Sequence, residues 1–466
     1  MPDAFFLRWK LDRPFVEQNK GDEVYALVTI EPNASVLVQS SQAALPAHLI
    51  ILVDVSGSMD ILMRHDPNAK SLGDAVTEGK ASHKVFSDVP SRREMACTVV
   101  QRLTERMHAD DLLTLVAFDD KAYVLAQCAS PENLDQLWPA IQKLTDVGGG
   151  GTALGTAFEA VRSLLATYPD PKRTRKLVLL TDGEDEKPTQ ALTEAQALGR
   201  DFNVPIVALG TGECKVSFLK DVAQTTLAGS FNHIRTETDA EQLFHQVLTG
   251  QKNVQATNVA LKLWLSPEMQ VRELYRTRPE ILYVGDLQPD AANLVELRLE
   301  QMERGKAYEF LFRCAVPRRA ANQRFRIAKA TLSYDLPALG RKQEVIEANL
   351  VVEYTADAER ARERSGDVRR VLARAEVQRQ VLFVQAKADL LNRGHGSERD
   401  RALVANVLAA LIKKFDEFGD QAMANQYRLM QEELQQKGTI SQDMINRSLA
   451  ASSRAEEVIV AQDIDF

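Results

Sequence analysis

The apolar residues of this chain fall into short, unbroken runs. His48 to Val53, Leu112 to Phe118, Lys176 to Thr181 and Val204 to Gly210 each last about one strand, without the polar alternation of a sheet that faces water on one side. Such runs mark strands buried on both faces, as in a parallel sheet. Between them, apolar residues recur at helical spacing over 92–107, 154–166, 189–201 and 239–251, several behind Ser, Pro, Thr or Asp start signals. This alternation predicts an α/β unit over residues 48–252 with a doubly wound, mostly parallel sheet. Ligands of such sheets sit beyond the carboxyl ends of the strands, where strand order reverses.

The flanks have other textures. In residues 1–47, apolar runs at 5–11 and 24–30 are split by the turn-prone Asn19-Lys-Gly-Asp22, which predicts two strands. Residues 253–356 carry strand-length segments at 259–265, 271–275, 294–299, 308–316, 325–334 and 344–354, the pattern of a β-sandwich that the first two strands are expected to join. Residues 357–451 return to helical spacing, with Val368, Val371, Leu372, Ala375, Leu382 and Val384 on one long helix and Leu403, Val407, Leu408, Leu411, Ile412 and Phe415 on the next. A helical bundle or hairpin is expected there, with turns at 392–396 and 418–420. Residues 452–466 read as a tail, either disordered or adding as a strand to a partner, with disorder favoured. The Asp-, Lys-, Gly- and Ser-rich stretch from Asp60 to Ser91 is longer than a strand-to-helix connection needs and reads as an insertion or lid.

Composition narrows the function classes. The 466 residues carry a net charge of -8, so no overall field favours nucleic acid or an anionic membrane. Met1 to Lys10 lacks the pattern of a secretory leader, and no run approaches the ~20 apolar residues of a membrane span, which sets a cytoplasmic expectation. Cys97, Cys128, Cys214 and Cys314 are isolated, which disfavours a zinc site or disulfide framework.

The informative chemistry begins where Ile50-Ile-Leu-Val-Asp54 runs into Val-Ser56-Gly-Ser58. One carboxylate and two hydroxyls then lie at the carboxyl end of a buried strand. Gly148-Gly-Gly-Gly151-Thr152 precedes a helix and offers another hydroxyl, while Leu177-Val-Leu-Leu-Thr181-Asp182-Gly183 ends a second strand in a carboxylate. All are oxygen donors, the set preferred by hard ions such as magnesium.

In order, Asp54-x-Ser56-x-Ser58, Thr152 after a glycine run, and Asp182 in Thr-Asp-Gly resemble the metal-ion-dependent adhesion site of von Willebrand factor A domains. The resemblance implies that Ser56, Ser58 and Thr152 ligate Mg2+, or another divalent ion such as Mn2+ or Ca2+. It further implies that Asp54 and Asp182 act largely through water and that the open position takes an acidic side chain from a partner. The β-rich flanks on both sides resemble the layout of inter-alpha-trypsin inhibitor heavy chains and of bacterial proteins with this domain. Some of the latter occur with protein kinases, phosphatases, forkhead-associated domains or AAA ATPases, which implies a signalling or assembly adaptor with a partner of that kind.

Other readings of these residues are weaker. No Gly-Lys-Ser/Thr follows the glycine run, which argues against a nucleotide cradle. A magnesium phosphohydrolase with Asp54 as nucleophile needs a second Asp two residues on, where Ser56 stands. The seven histidines are scattered without a nucleophile signature, so no enzyme is expected. Glu184, Asp185 and Glu186 read either as a solvated acidic loop or as tuning the metal. The remaining alternative makes the A domain a scaffold, with partner recognition in the C-terminal helices and tail.

Overall fold

A computed structural model of the chain describes residues 2–37, 45–61, 71–75, 83–86, 90–168, 170, 173–183, 185–212, 214–234, 237–286, 288–417 and 419–453. The expected tail beyond Ser453, Glu184 and most of the expected lid over 60–91 lie outside these residues. Within that stretch, Ser71–Ala75 pairs antiparallel with His83–Phe86.

A six-stranded sheet has the order Ser230–Ile234, Ile206–Thr211, Thr174–Thr181, Ala47–Asp54, Leu112–Phe118 and Ala122–Ala129. All neighbours are parallel except the last, which pairs antiparallel at the edge. The Ala47–Asp54 strand is buried at every position because alternate residues enter two different cores. Ile50 and Leu52 join Leu177 and Leu179 on one face, beneath the helices Leu154–Thr167, Pro188–Phe202 and Val216–Ala223. Leu49, Ile51 and Val53 join Val178 and Leu180 on the other, beneath Arg92–Thr104, Leu134–Asp146 and Glu237–Lys252. From Ala47–Asp54 the chain first proceeds to Leu112–Phe118 on one side and later returns to Thr174–Thr181 on the other. The strand order therefore reverses between these central strands, whose carboxyl ends are Asp54 and Thr181.

Two five-stranded sheets form a sandwich. One runs Phe5–Leu11, Asp22–Pro32, Tyr308–Val316, Gln270–Arg278, Leu282–Asp286, so the strands before the parallel sheet pair directly with those after it. The other runs Leu294–Glu303, Val254–Leu265, Arg324–Leu336, Arg341–Thr355, Phe15–Glu17. Ile30, Leu274, Phe310 and Phe312 from the first meet Leu261, Leu297, Leu332 and Val352 from the second. The junction with the parallel sheet is polar: Gln301 Nε2 donates to the Arg175 carbonyl at 2.7 Å, and the buried Glu300 carboxyl accepts from the Ala228 N–H at 3.3 Å.

Among the described residues four C-terminal helices follow, Gly366–Asn392, Glu398–Glu417, Gln421–Lys437 and Gln442–Ser453. Val368 and Ala375 lie against Leu27, Tyr275 and Leu311 on the outer face of the sandwich. Further along, Val377, Val381, Leu408, Phe415 and Tyr427 belong to the apolar cluster that also packs one face of the parallel sheet. No helix among the described residues is long and apolar enough to cross a membrane.

Candidate metal centre

The turn after Asp54 is built by its own carboxylate. Asp54 Oδ1 accepts from the Ser56 N–H at 2.9 Å, and Ser56 opens a short 3-10 turn, Gly57–Asp60, whose Met59 is fully buried. This folds Ser58 back so that the Ser56 and Ser58 hydroxyls lie 3.1 Å apart. Asp54 Oδ2 accepts from the Thr181 hydroxyl at 2.6 Å, tying the two central strand ends together. Burial raises the Asp54 carboxyl to about 6, with the Asp182 charge adding and the hydrogen bonds from Ser56 and Thr181 opposing. A nucleophilic carboxylate needs an accessible oxygen. Asp54 is 0% exposed with both oxygens engaged, an arrangement suited to positioning.

The glycine run lies on the same turn. Gly149 N–H donates to the Val55 carbonyl at 2.8 Å, and Gly57 N–H donates to Gly150 at 3.2 Å. Gly148 and Gly149 have φ of +93° and +100°, values that a side chain strongly disfavours. Asp119 and Asp120, at the end of the Leu112–Phe118 strand, fix the loop from the other side. Asp119 Oδ2 accepts from Gly150 N–H at 3.2 Å and Asp120 Oδ1 from Gly151 N–H at 3.1 Å. Thr152 follows, 7% exposed, its carbonyl accepting from the Glu186 N–H at 3.1 Å. Asp185 of the acidic loop supports the fold, its carboxylate capping the Leu154–Thr167 helix through the Leu154 N–H at 2.7 Å.

Asp182 is 5% exposed and divided in its contacts. Oδ2 accepts from Arg92 Nη1 at 3.1 Å, whereas the buried Oδ1 has no hydrogen-bond partner among the described residues. Arg92 Nη1 also lies 3.3 Å from the Ser58 carbonyl. Arg93 grips the backbone, donating to the carbonyls of Val55 at 2.7 Å and Val147 at 2.9 Å, and pairs with Asp60 at 3.0 Å. Sequence reasoning missed both arginines. The available signal was their place in the first turn of a helix opened by the Ser91–Glu94 capping box, where the helix dipole disfavours cations.

These contacts bring the loops bearing Asp54, Ser56, Ser58, Thr152 and Asp182 to one place at the strand-order reversal. An orphaned, buried carboxylate oxygen and a facing pair of hydroxyls are what an oxygen-preferring cation satisfies, and the donor set fits magnesium, manganese or calcium. Among the described residues no group of three or more His, Cys, Asp or Glu is placed to hold a metal, so any ion here depends on hydroxyls.

Comparison with known proteins agrees with this fold. Residues 49–184 match the family model of the von Willebrand factor type A domain. A von Willebrand factor type A protein from Catenulispora acidiphila superimposes with a TM-score of 0.71 at 16% identity, covering 97% of this chain and 99% of that one. The ArnB paralog VWA2 from Sulfolobus acidocaldarius does so with a TM-score of 0.55 at 14% identity and the same coverage. In sequence, an uncharacterized protein of Synechocystis is 24% identical over 281 residues, 56% of this chain and 59% of that protein's length. Residues 49–184 of this chain therefore form a von Willebrand factor type A domain.

Proposed function

We propose that the chain is a protein-binding module that captures an acidic side chain of a partner protein through a divalent cation. Ser56, Ser58 and Thr152 would ligate the ion directly, with Asp54 and Asp182 acting largely through water. When bound, the cation supplies a Lewis-acidic position for an incoming carboxylate. Two carboxylates, one of them paired with Arg92, under-neutralise a divalent charge, so an anionic oxygen gains Coulomb stabilisation there. The observation that carries this reading is the buried Asp182 Oδ1, without a hydrogen-bond partner among the described residues, in a centre where the Ser56 and Ser58 hydroxyls face each other at 3.1 Å.

The protein's own residues prepare that position. Thr181 and the Ser56 N–H hold Asp54, Arg93 fixes the turn that presents the two serines, and Asp119 and Asp120 hold the loop that presents Thr152. We place the module in cytoplasmic signalling or complex assembly, with a kinase, phosphatase, forkhead-associated or AAA ATPase component as the partner class. Immobilised chain should retain its partner in magnesium and release it in chelator, and Thr152→Ala should retain none. Equal retention in chelator, or by Thr152→Ala, would sink the proposal.

A further inference from the structure

An all-oxygen cation centre does not call for an arginine, yet the fold makes room for one. Arg92 is 9% exposed, and its Nη1 is shared between Asp182 Oδ2 and the Ser58 carbonyl while its buried Nε has no hydrogen-bond partner among the described residues. The backbone beyond the Ile206–Thr211 strand yields to it: a Cβ on Gly212, at φ +60°, would lie 2.0 Å from Arg92 Nη2. Burying a guanidinium at a helix N-terminus, with one donor unsatisfied, works against stability. Its charge lies on Asp182, one of the two carboxylates of the proposed centre.

We propose that Arg92 sets the charge of the centre, weakening its hold on the free cation and strengthening the bound cation's attraction for a partner's carboxylate. This rests on the metal-dependent reading above. Asp54 and Asp182 together would match a divalent ion. With Arg92 paired to Asp182, one positive charge is left over, and a carboxylate from outside supplies the balance. Cation and acidic partner are then captured together, each tightening the other by the same factor. Arg92 is thus a positioning and charge-setting residue, not a ligand.

The test is calorimetric titration of Mn2+ into the full chain, with and without saturating acetate as the carboxylate probe. The proteins are wild type, Arg92→Gln, Arg92→Lys and Asp54→Asn. Arg92→Gln should bind Mn2+ about 5-fold or more tightly than wild type, and acetate should then tighten Mn2+ binding by a smaller factor. Arg92→Lys, which keeps the charge, should follow wild type. Should Gln disturb folding, as read by circular dichroism, neutral Arg92→Met carries the same expectation. Unchanged or weaker Mn2+ binding in the neutral variants overturns the inference, as does Arg92→Lys moving with them. Loss of binding in Asp54→Asn alongside such a result leaves the metal reading standing. If wild type binds no Mn2+, or Asp54→Asn equals it, the metal reading fails and this inference with it.

Discussion

Gly148 and Gly149 are adjacent, both at φ near +100°, yet the structure predicts different penalties for giving each a side chain. A Cβ on Gly149 meets nothing within 4 Å, so Gly149→Ala bears only the backbone strain, about 1–3 kcal/mol. A Cβ on Gly148 would sit 2.3 Å from the Val55 carbonyl oxygen and 2.5 Å from Val55 Cγ2. Backbone cannot swing aside as a side chain can, so the loop must retreat by ~0.7 Å merely to reach 3.0 Å. The retreat loosens the Gly149 N–H bond to that carbonyl, now 2.8 Å long, for ~1 kcal/mol, and overpacking adds about 1–3 kcal/mol. Gly148→Ala should therefore be about 2–4 kcal/mol less stable than Gly149→Ala. Because Thr152 lies on the same loop, Gly148→Ala should also lose most Mn2+ binding while Gly149→Ala retains it. Urea unfolding, followed by Mn2+ titration of each folded variant, measures both. Equal stability of the two variants would refute the close approach of Gly148 to Val55.

Arg93→Met should cost about 3–6 kcal/mol in urea unfolding, since two carbonyls lose short bonds to a charged donor worth about 1.5–3 kcal/mol each and Met gives back no side-chain entropy. A loss under about 0.5 kcal/mol would show that Arg93 does not hold the turn after Asp54. At the junction of the two domains, burial pushes the Glu300 carboxyl up to about 8. The folded chain then binds a proton there that the unfolded chain releases above its ordinary value of 4.5, so stability should fall as pH rises from 4.5 to 8, by up to ~1.4 kcal/mol per pH unit. Glu300→Gln should flatten that slope in thermal unfolding between pH 5 and pH 8; an unchanged slope would remove Glu300 as its source. Thr181→Val should weaken Mn2+ binding, because Asp54 Oδ2 loses its 2.6 Å donor, with an unaltered affinity counting against the Thr181–Asp54 tie.

The central strands were legible because the physics that buries them leaves no polar position to interrupt the run. Leu49 to Val53 feed two cores at once. The edge strand Ala122–Ala129 was not, since its residues are half-buried or exposed, with neither alternation nor a continuous run. The helix Leu134–Asp146 hides behind Pro139 in its interior, and Val216–Ala223 is only two turns long. In the last region the sequence pointed to a bundle or hairpin of long helices, and the described residues form four; the polar composition of Gln421–Lys437 concealed a face made by Met423, Ala424, Tyr427, Met430 and Leu434. That Asp54, Ser56, Ser58 and Asp182 lie together at the strand ends was legible from residue type and order. What holds them was not: Arg92, Arg93, Asp119 and Asp120 act through contacts over 31 to 90 residues of separation that no local pattern encodes.

The central claim is that Asp54, Ser56, Ser58, Thr152 and Asp182 hold a divalent cation together. Calorimetric titration of Mg2+ and Mn2+ into the wild-type chain and into Asp54→Ala tests it most directly. The account predicts one saturable site per chain in the wild type and none in Asp54→Ala, with both proteins folded by circular dichroism. Heat from neither ion in the wild type, or the same isotherm in both proteins, would contradict it.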